Sequence, residues 1–116
     1  MMVIEQIHAL ELHDGGLESL QLNFSTKEVR IGVSVFIDKE SEYDLIELIF
    51  TGVTTVNLNE IIVKNFLSLE VLTHEVEAIE EGYKIEFLFF QGSGSPRVRC
   101  SFDFSECTIK RSRMQE

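Results

Sequence analysis

The chain reads as a mainly β protein: an antiparallel sheet of about seven strands, folded as a sandwich or partly open barrel, with one short helix near 58–66. Three observations predict this. Val29, Ile31, Val33, Val35 and Ile37 fall on one face of a single stretch, and Arg30, Gly32 and Ser34 on the other. That is the two-residue period of a strand with one buried face, and its inner positions are the β-branched residues that pack well on a pleat. Several other segments repeat the alternation, and the connections between them have hairpin length and turn-rich composition.

Taken in order, residues 1–12 carry Val3, Ile4, Ile7, Leu10 and Leu12, a spacing open to helix or strand. They are expected as a strand or irregular lead-in. His13-Asp14-Gly15-Gly16 breaks the chain. Leu20, Leu22 and Phe24 alternate with polar residues, predicting a strand over 17–24. Ser25 to Glu28 is a polar turn, and the strand 29–37 completes a hairpin. Asp38 to Asp44 reads as a charged loop. From Leu45 to Val53, Ile46, Leu48 and Phe50 share a face, while Leu45 and Ile49 predict partial cover on the other side. Gly52 marks a bulge or a close approach.

Residues 57–66 are the helix candidate, with Asn59 at its start. The stretch 67–79 is read as a strand, with a continued helix as the alternative. Glu80-Glu81-Gly82 is a hairpin turn into Tyr83, Ile85, Phe87 and Phe89, whose far end, Leu88 and Phe90, is apolar on both sides. Gln91 to Pro96 is a flexible turn. Val98, Cys100, Phe102 and Phe104 then face inward, with Cys107 and Ile109 prolonging the strand past a bulge near Ser105. Lys110 to Glu116 is expected to fray. No internal repeat stands out.

Length predicts one domain over 1–116. No apolar run reaches the roughly 18 residues of a membrane span, and the N-terminus lacks the basic-then-apolar order of a signal peptide. A cytoplasmic location is expected, where Cys100 and Cys107 would stay free thiols. The net charge is −10. Residues 1–96 carry five Lys/Arg against seventeen Asp/Glu, and residues 97–116 carry five against three. An acidic body repels phosphates, which argues against nucleic acid as partner; it reads first as a solvated acidic surface, and it also suits steering toward a basic partner.

Candidate chemical residues are few. His8, His13, Asp14 and His74 form the one conceivable metal or acid–base set, but His8 and His13 share no face of a helix or strand. Asp14 reads as a turn carboxylate. Gly92-Ser93-Gly94 lacks the Lys-Ser/Thr ending of a phosphate loop. Cys100 is read as buried and inert, and Cys107 as the more exposed thiol. Arg97, Arg99, Lys110, Arg111 and Arg113 form the one basic patch, paired with acid within the molecule or across a dimer. No catalytic, cofactor-binding or metal residue is assigned.

Leu12-His13-Asp14 before Leu17, then Leu48-Ile49-Phe50-Thr51-Gly52-Val53, Asn65, Tyr83-Lys84-Ile85-Glu86-Phe87, and Val98-Arg99-Cys100-Ser101-Phe102-Asp103-Phe104 follow an order that resembles small bacterial β-sheet families. These are uncharacterised or grouped with the immunity proteins of polymorphic toxin systems. The resemblance implies a β fold without catalytic residues and a protein partner. The expectation is therefore a non-enzymatic protein-binding domain, such as an immunity protein masking a basic toxin. A self-associating β domain, dimeric through its sheet edges, is the alternative. A small hydrolase-type enzyme, third in order, requires His13, Asp14 and His74 to converge.

Overall fold

The computed structural model describes residues 3–37, 42–59, 69–92 and 97–113. One helix, α1 (Val3–His8), precedes eight strands: β1 (Gly16–Asn23), β2 (Glu28–Ile37), β3 (Glu42–Thr51), β4 (Thr55–Leu58), β5 (Glu70–Ile79), β6 (Gly82–Phe90), β7 (Val98–Phe104) and β8 (Glu106–Arg113). They form one antiparallel sheet in the order β4-β7-β6-β5-β1-β2-β3-β8, which does not close.

The sheet bends until its two halves face each other. Val29, Ile31, Val33, Ile46, Leu48 and Phe50 from one half meet Ile85, Phe87, Phe89, Cys100, Phe102 and Phe104 from the other, all buried. Phe50 of β3 meets Phe102 and Phe104 of β7 edge-on, at centroid distances of 4.7 and 4.8 Å. Burying this apolar area supplies the main driving force, at roughly 25 cal/mol per Å².

The strand order carries a two-fold relation. Exchanging β1–β4 with β5–β8 reverses the order and leaves it unchanged. Gly15 and Leu17 lie 54 positions before Leu69 and Val71. The Leu17 N–H donates to the Leu69 carbonyl at 2.7 Å, and the Val71 N–H to the Gly15 carbonyl at 2.8 Å, so the offset maps one bond onto the other. Both first strands break register at matching places, between Leu17 and Ser19 and between Val71 and Thr73. Phe50 and Phe104, in ring contact, keep the same offset, as do Thr51 and Ser105, whose carbonyl and N–H bond at 2.9 Å. Each half ends by lending a strand to the other: β4 pairs with β7, and β8 with β3.

Several elements differ from the sequence reading. The N-terminal lead-in contains a helix, because Ile7 is fully buried against the core and Val3, Ile4 and Leu10 pack beside it. Val56 and Leu58 belong to β4, and the rest of the expected helix, from residue 60 to 66, lies outside the described residues. The Asn59 side chain accepts from the Arg99 N–H and donates to the Arg97 carbonyl, ending β4 against β7. The described part of 67–79 is strand from Glu70. Tyr43 and Asp44, expected in a loop, are in β3. Cys107 and Ile109 do not prolong β7; the chain turns at Ser105 and crosses to β3. Lys110 to Arg113, expected to fray, are held in β8.

Gly52 is the close approach expected of it. Its φ is +67°, and a Cβ there would lie 2.5 Å from Ser105 Oγ. The two crossovers touch at this point, where only glycine combines that backbone with that contact. No helix among the described residues is long and apolar enough to cross a membrane.

Candidate functional site: an acidic, aromatic-walled face at the junction of the halves

Of the candidate chemical residues, His13 and Asp14 meet, and the others do not join them in one cluster. His74 on β5 donates Nε2–H to the Ile7 carbonyl at 3.0 Å, tying α1 to the sheet. His13 donates Nδ1–H to the Leu72 carbonyl at 2.8 Å. Because a carbonyl only accepts, each bond fixes which ring nitrogen carries the proton. His13 Nε2 lies 3.4 Å from the Asp14 carboxylate, and both side chains are about 70% exposed. Asp14 has a φ of +65°, and its own N–H donates to the Val71 carbonyl. His8 lies on an exposed surface beside Glu75 and Glu77. Among the described residues no three His, Cys, Asp or Glu side chains are grouped to hold a metal ion.

Both thiols are free and shifted away from reactivity. Burial pushes Cys100 up to about 11. Burial also pushes Cys107 up to about 12, against a smaller opposing effect of a hydrogen bond with the Ile49 backbone. Thiolate is the nucleophilic form, so neither is activated at neutral pH. Gly92 has a φ of +117°, and residues 93–96 of the glycine-rich turn lie outside the described residues.

The basic patch is largely consumed within the molecule. Arg111 Nε meets Asp44 Oδ2 at 2.6 Å and Arg113 Nε meets Asp44 Oδ1 at 2.8 Å. Arg113 also pairs with Glu42. The hydrogen bond from Arg111, seconded by Arg113, holds the Asp44 carboxyl below the usual carboxylate range. Arg99 lies 3.6 Å from Glu86, and Arg30 pairs with Glu28. Strand register explains the first of these clusters: Arg111 and Arg113 stand opposite Ile46 and Asp44, on the side of the buried Asp44 carboxylate, whose charge they satisfy while remaining half exposed themselves.

A different group of acids has no such partner. Where the halves meet, Ser34, Gly16, Glu70 and Phe90 form one row across β2, β1, β5 and β6, on the face away from the core. A concavity of about 420 Å³ opens there, with Asp14, Glu18, Ser34, Phe36, Tyr43 and Glu70 among its walls. The Ser34 hydroxyl is 3.0 Å from Glu18 Oε2 and 3.3 Å from the Gly16 carbonyl; it has one proton to give to either. No Lys or Arg pairs with Asp14, Glu18 or Glu70 among the described residues. Phe36 and Tyr43, 53% and 46% exposed, are in ring contact at 5.3 Å. Phe90, also exposed, stands opposite Glu70.

Sequence reasoning did not single out this face. Glu18, Tyr43 and Glu70 looked like ordinary surface residues. The legible signal was Phe36 and Phe90, each an aromatic at the polar phase of its strand, and each the 54-residue counterpart of the other.

A second concavity, of about 320 Å³, lies between the β1–β2 hairpin tip and β4. Its walls include Leu22, Phe24, Val29, Val53 and Val56, with Phe24 83% exposed. No protein-family model matches this chain, and neither a curated protein nor a solved structure matches it.

Proposed function

We propose that this chain is a non-enzymatic protein-binding domain for a basic partner, acting in the cytoplasm in the manner of an immunity protein that masks a toxin. The observation that carries the reading is the distribution of ion pairs. Arg30, Arg99, Arg111 and Arg113 already face carboxylates, while Glu18 and Glu70, with Asp14 beside His13, share a concave aromatic-walled face on which no Lys or Arg among the described residues pairs with them. Unneutralised acid next to exposed aromatic rings is the composition of a surface that meets positive charge.

The alternatives have less support. Self-association through a sheet edge meets two obstacles. β4 is four residues long and is ended by Asn59, and β8 carries the charged Lys110, Arg111 and Arg113 along its length, devices that discourage edge pairing. A hydrolase-type reaction would need the imidazoles to converge, and His13 and His74 are each committed to a backbone carbonyl.

The test is capture by the immobilised full chain from its native host at low salt, followed by a salt gradient. The expected result is one basic polypeptide, retained in stoichiometric amount and released as salt screens the charges. Retention of nothing but the chain itself overturns the reading.

A further inference from the structure

We infer that the junction face docks an extended, cation-bearing segment of the partner, with one Arg or Lys head seated on Phe36 and Tyr43 against Glu18 and Glu70. This deepens the proposed function and rests on it.

Three features define the occupant. The first is size. The concavity, of about 420 Å³, runs across β2, β1 and β5 beside the Phe36–Tyr43 ring pair. That admits a single extended chain with its side chains. The second is the floor. Gly16 and Ser34 pair across β1 and β2 within it, so no large side chain fills the trough at these two positions, and a Cβ at position 16 would already lie 3.1 Å from Ser34 Oγ.

The third is charge. Glu18, Asp14 and Glu70 border the trough without Lys or Arg among the described residues, and the Ser34 hydroxyl stands by Glu18. A guanidinium or ammonium placed there gains a carboxylate and the negative faces of two rings together. A neutral apolar segment would instead desolvate these carboxylates without compensation.

The face is distinct from the other acidic surface of the sheet. Glu75 and Glu86 stand opposite each other on β5 and β6, but Lys84 is opposite Glu77 and Arg99 reaches Glu86, so that surface is partly neutralised. It is also without an exposed aromatic pair.

The experiment titrates the full chain with an alternating Arg-Ser octapeptide, followed by backbone amide shifts, with the matching Glu-Ser peptide as control. The expected result is salt-sensitive binding of the Arg peptide alone, with shifts centred on Gly16, Ser34, Phe36, Glu70 and Phe90. Glu18→Gln with Glu70→Gln, and separately Phe36→Ala, should each weaken it at least about fivefold, while Glu75→Gln with Glu77→Gln leaves it unchanged. Thermal melts identify any variant that fails to fold, and the shift map of the unaltered chain then decides alone. Equal weakening by the Glu75/Glu77 pair, or shifts centred elsewhere, overturns the docking site but leaves a basic partner standing. No binding of the Arg peptide overturns the docking site as well. If the capture experiment also retains no basic polypeptide, the wider reading falls with it.

Discussion

The two halves share a strand plan and fill it differently. On β2 the buried apolar positions are Val29, Ile31, Val33 and Val35; on β6 they are Ile85, Phe87 and Phe89, with Tyr83 partly buried beside them. One half contributes small branched side chains and the other large rings. Two ring-lined halves would overfill the space between the layers, and two valine-lined halves would leave voids. Close packing is met by pairing large with small. The difference also opens one side. Tyr83 stacks on Phe104 at 5.5 Å, whereas Val29 leaves the cleft beneath Phe24 unfilled. On the outer face Ser34 of β2 stands in the row where β6 has Phe90, which keeps the trough open beside β2. A near-symmetric backbone with unequal side chains therefore builds surfaces that neither half has alone.

The sharpest way to break this comparison is to remove one large and one small partner. Phe87→Ala should cost about 3–5 kcal/mol and Val33→Ala about half as much, measured by denaturant unfolding. Equal costs would mean that the rings of β6 do not dominate the core.

The two hairpins offer a smaller contrast. β5 and β6 turn through Gly82, with φ +121° and a Cβ position 2.5 Å from the Phe104 carbonyl oxygen. β1 and β2 turn with Lys27 at φ +56°. Gly82→Ala should destabilise by about 1–3 kcal/mol. Lys27→Gly should be neutral or stabilise by up to about 1 kcal/mol, since glycine removes the left-handed penalty. Melting temperatures check both, and a harmless Gly82→Ala would sink the steric account.

The smallest effect concerns the lent strand β8. The pairing of Asp44 with Arg111 and Arg113 lowers the carboxyl's folded-state pKa. It therefore stabilises the fold above the ordinary carboxylate pKa, and that contribution fades as pH falls through the depressed value. The partners are half exposed, so solvent and salt screen the effect. Asp44→Asn should lower stability at neutral pH and flatten this part of the acid limb. An unchanged acid limb in pH-dependent unfolding would show that the clamp contributes nothing.

Much of the fold was legible because alternation is a local property. Val29 to Val35, Tyr83 to Phe89 and Val98 to Phe104 each declare an inward face by alternation, and those inward positions are buried or nearly so, while Ser34 and Ser101, at the outward phase, are covered by the tertiary structure as well. The hairpin turns at 25–28 and 80–82 and the tight contact at Gly52 were readable for the same reason. The junction face was not. It joins Glu18, Tyr43 and Glu70, which are unremarkable one at a time and meet only through pairings between β1, β2, β3 and β5. The basic tail failed differently: Lys110 to Arg113 has the composition of a frayed end, and only a strand partner carrying Asp44 makes it structural.

The sequence by itself determined which residues face the core and where the chain turns, because a side-chain period of two and the special backbone angles of turns are set within a few residues. Only the tertiary structure decided the strand order, the exchange of β4 and β8 between halves, and the two-fold relation. Those depend on hydrogen bonds and ring contacts between residues far apart in the chain. With four pairs alike at the 54-residue offset among the described positions — Ile31/Ile85, Phe36/Phe90, Phe50/Phe104 and Thr54/Thr108 — the repeat persists in the strand order and in the paired β1–β5 bonds after side-chain identity has diverged.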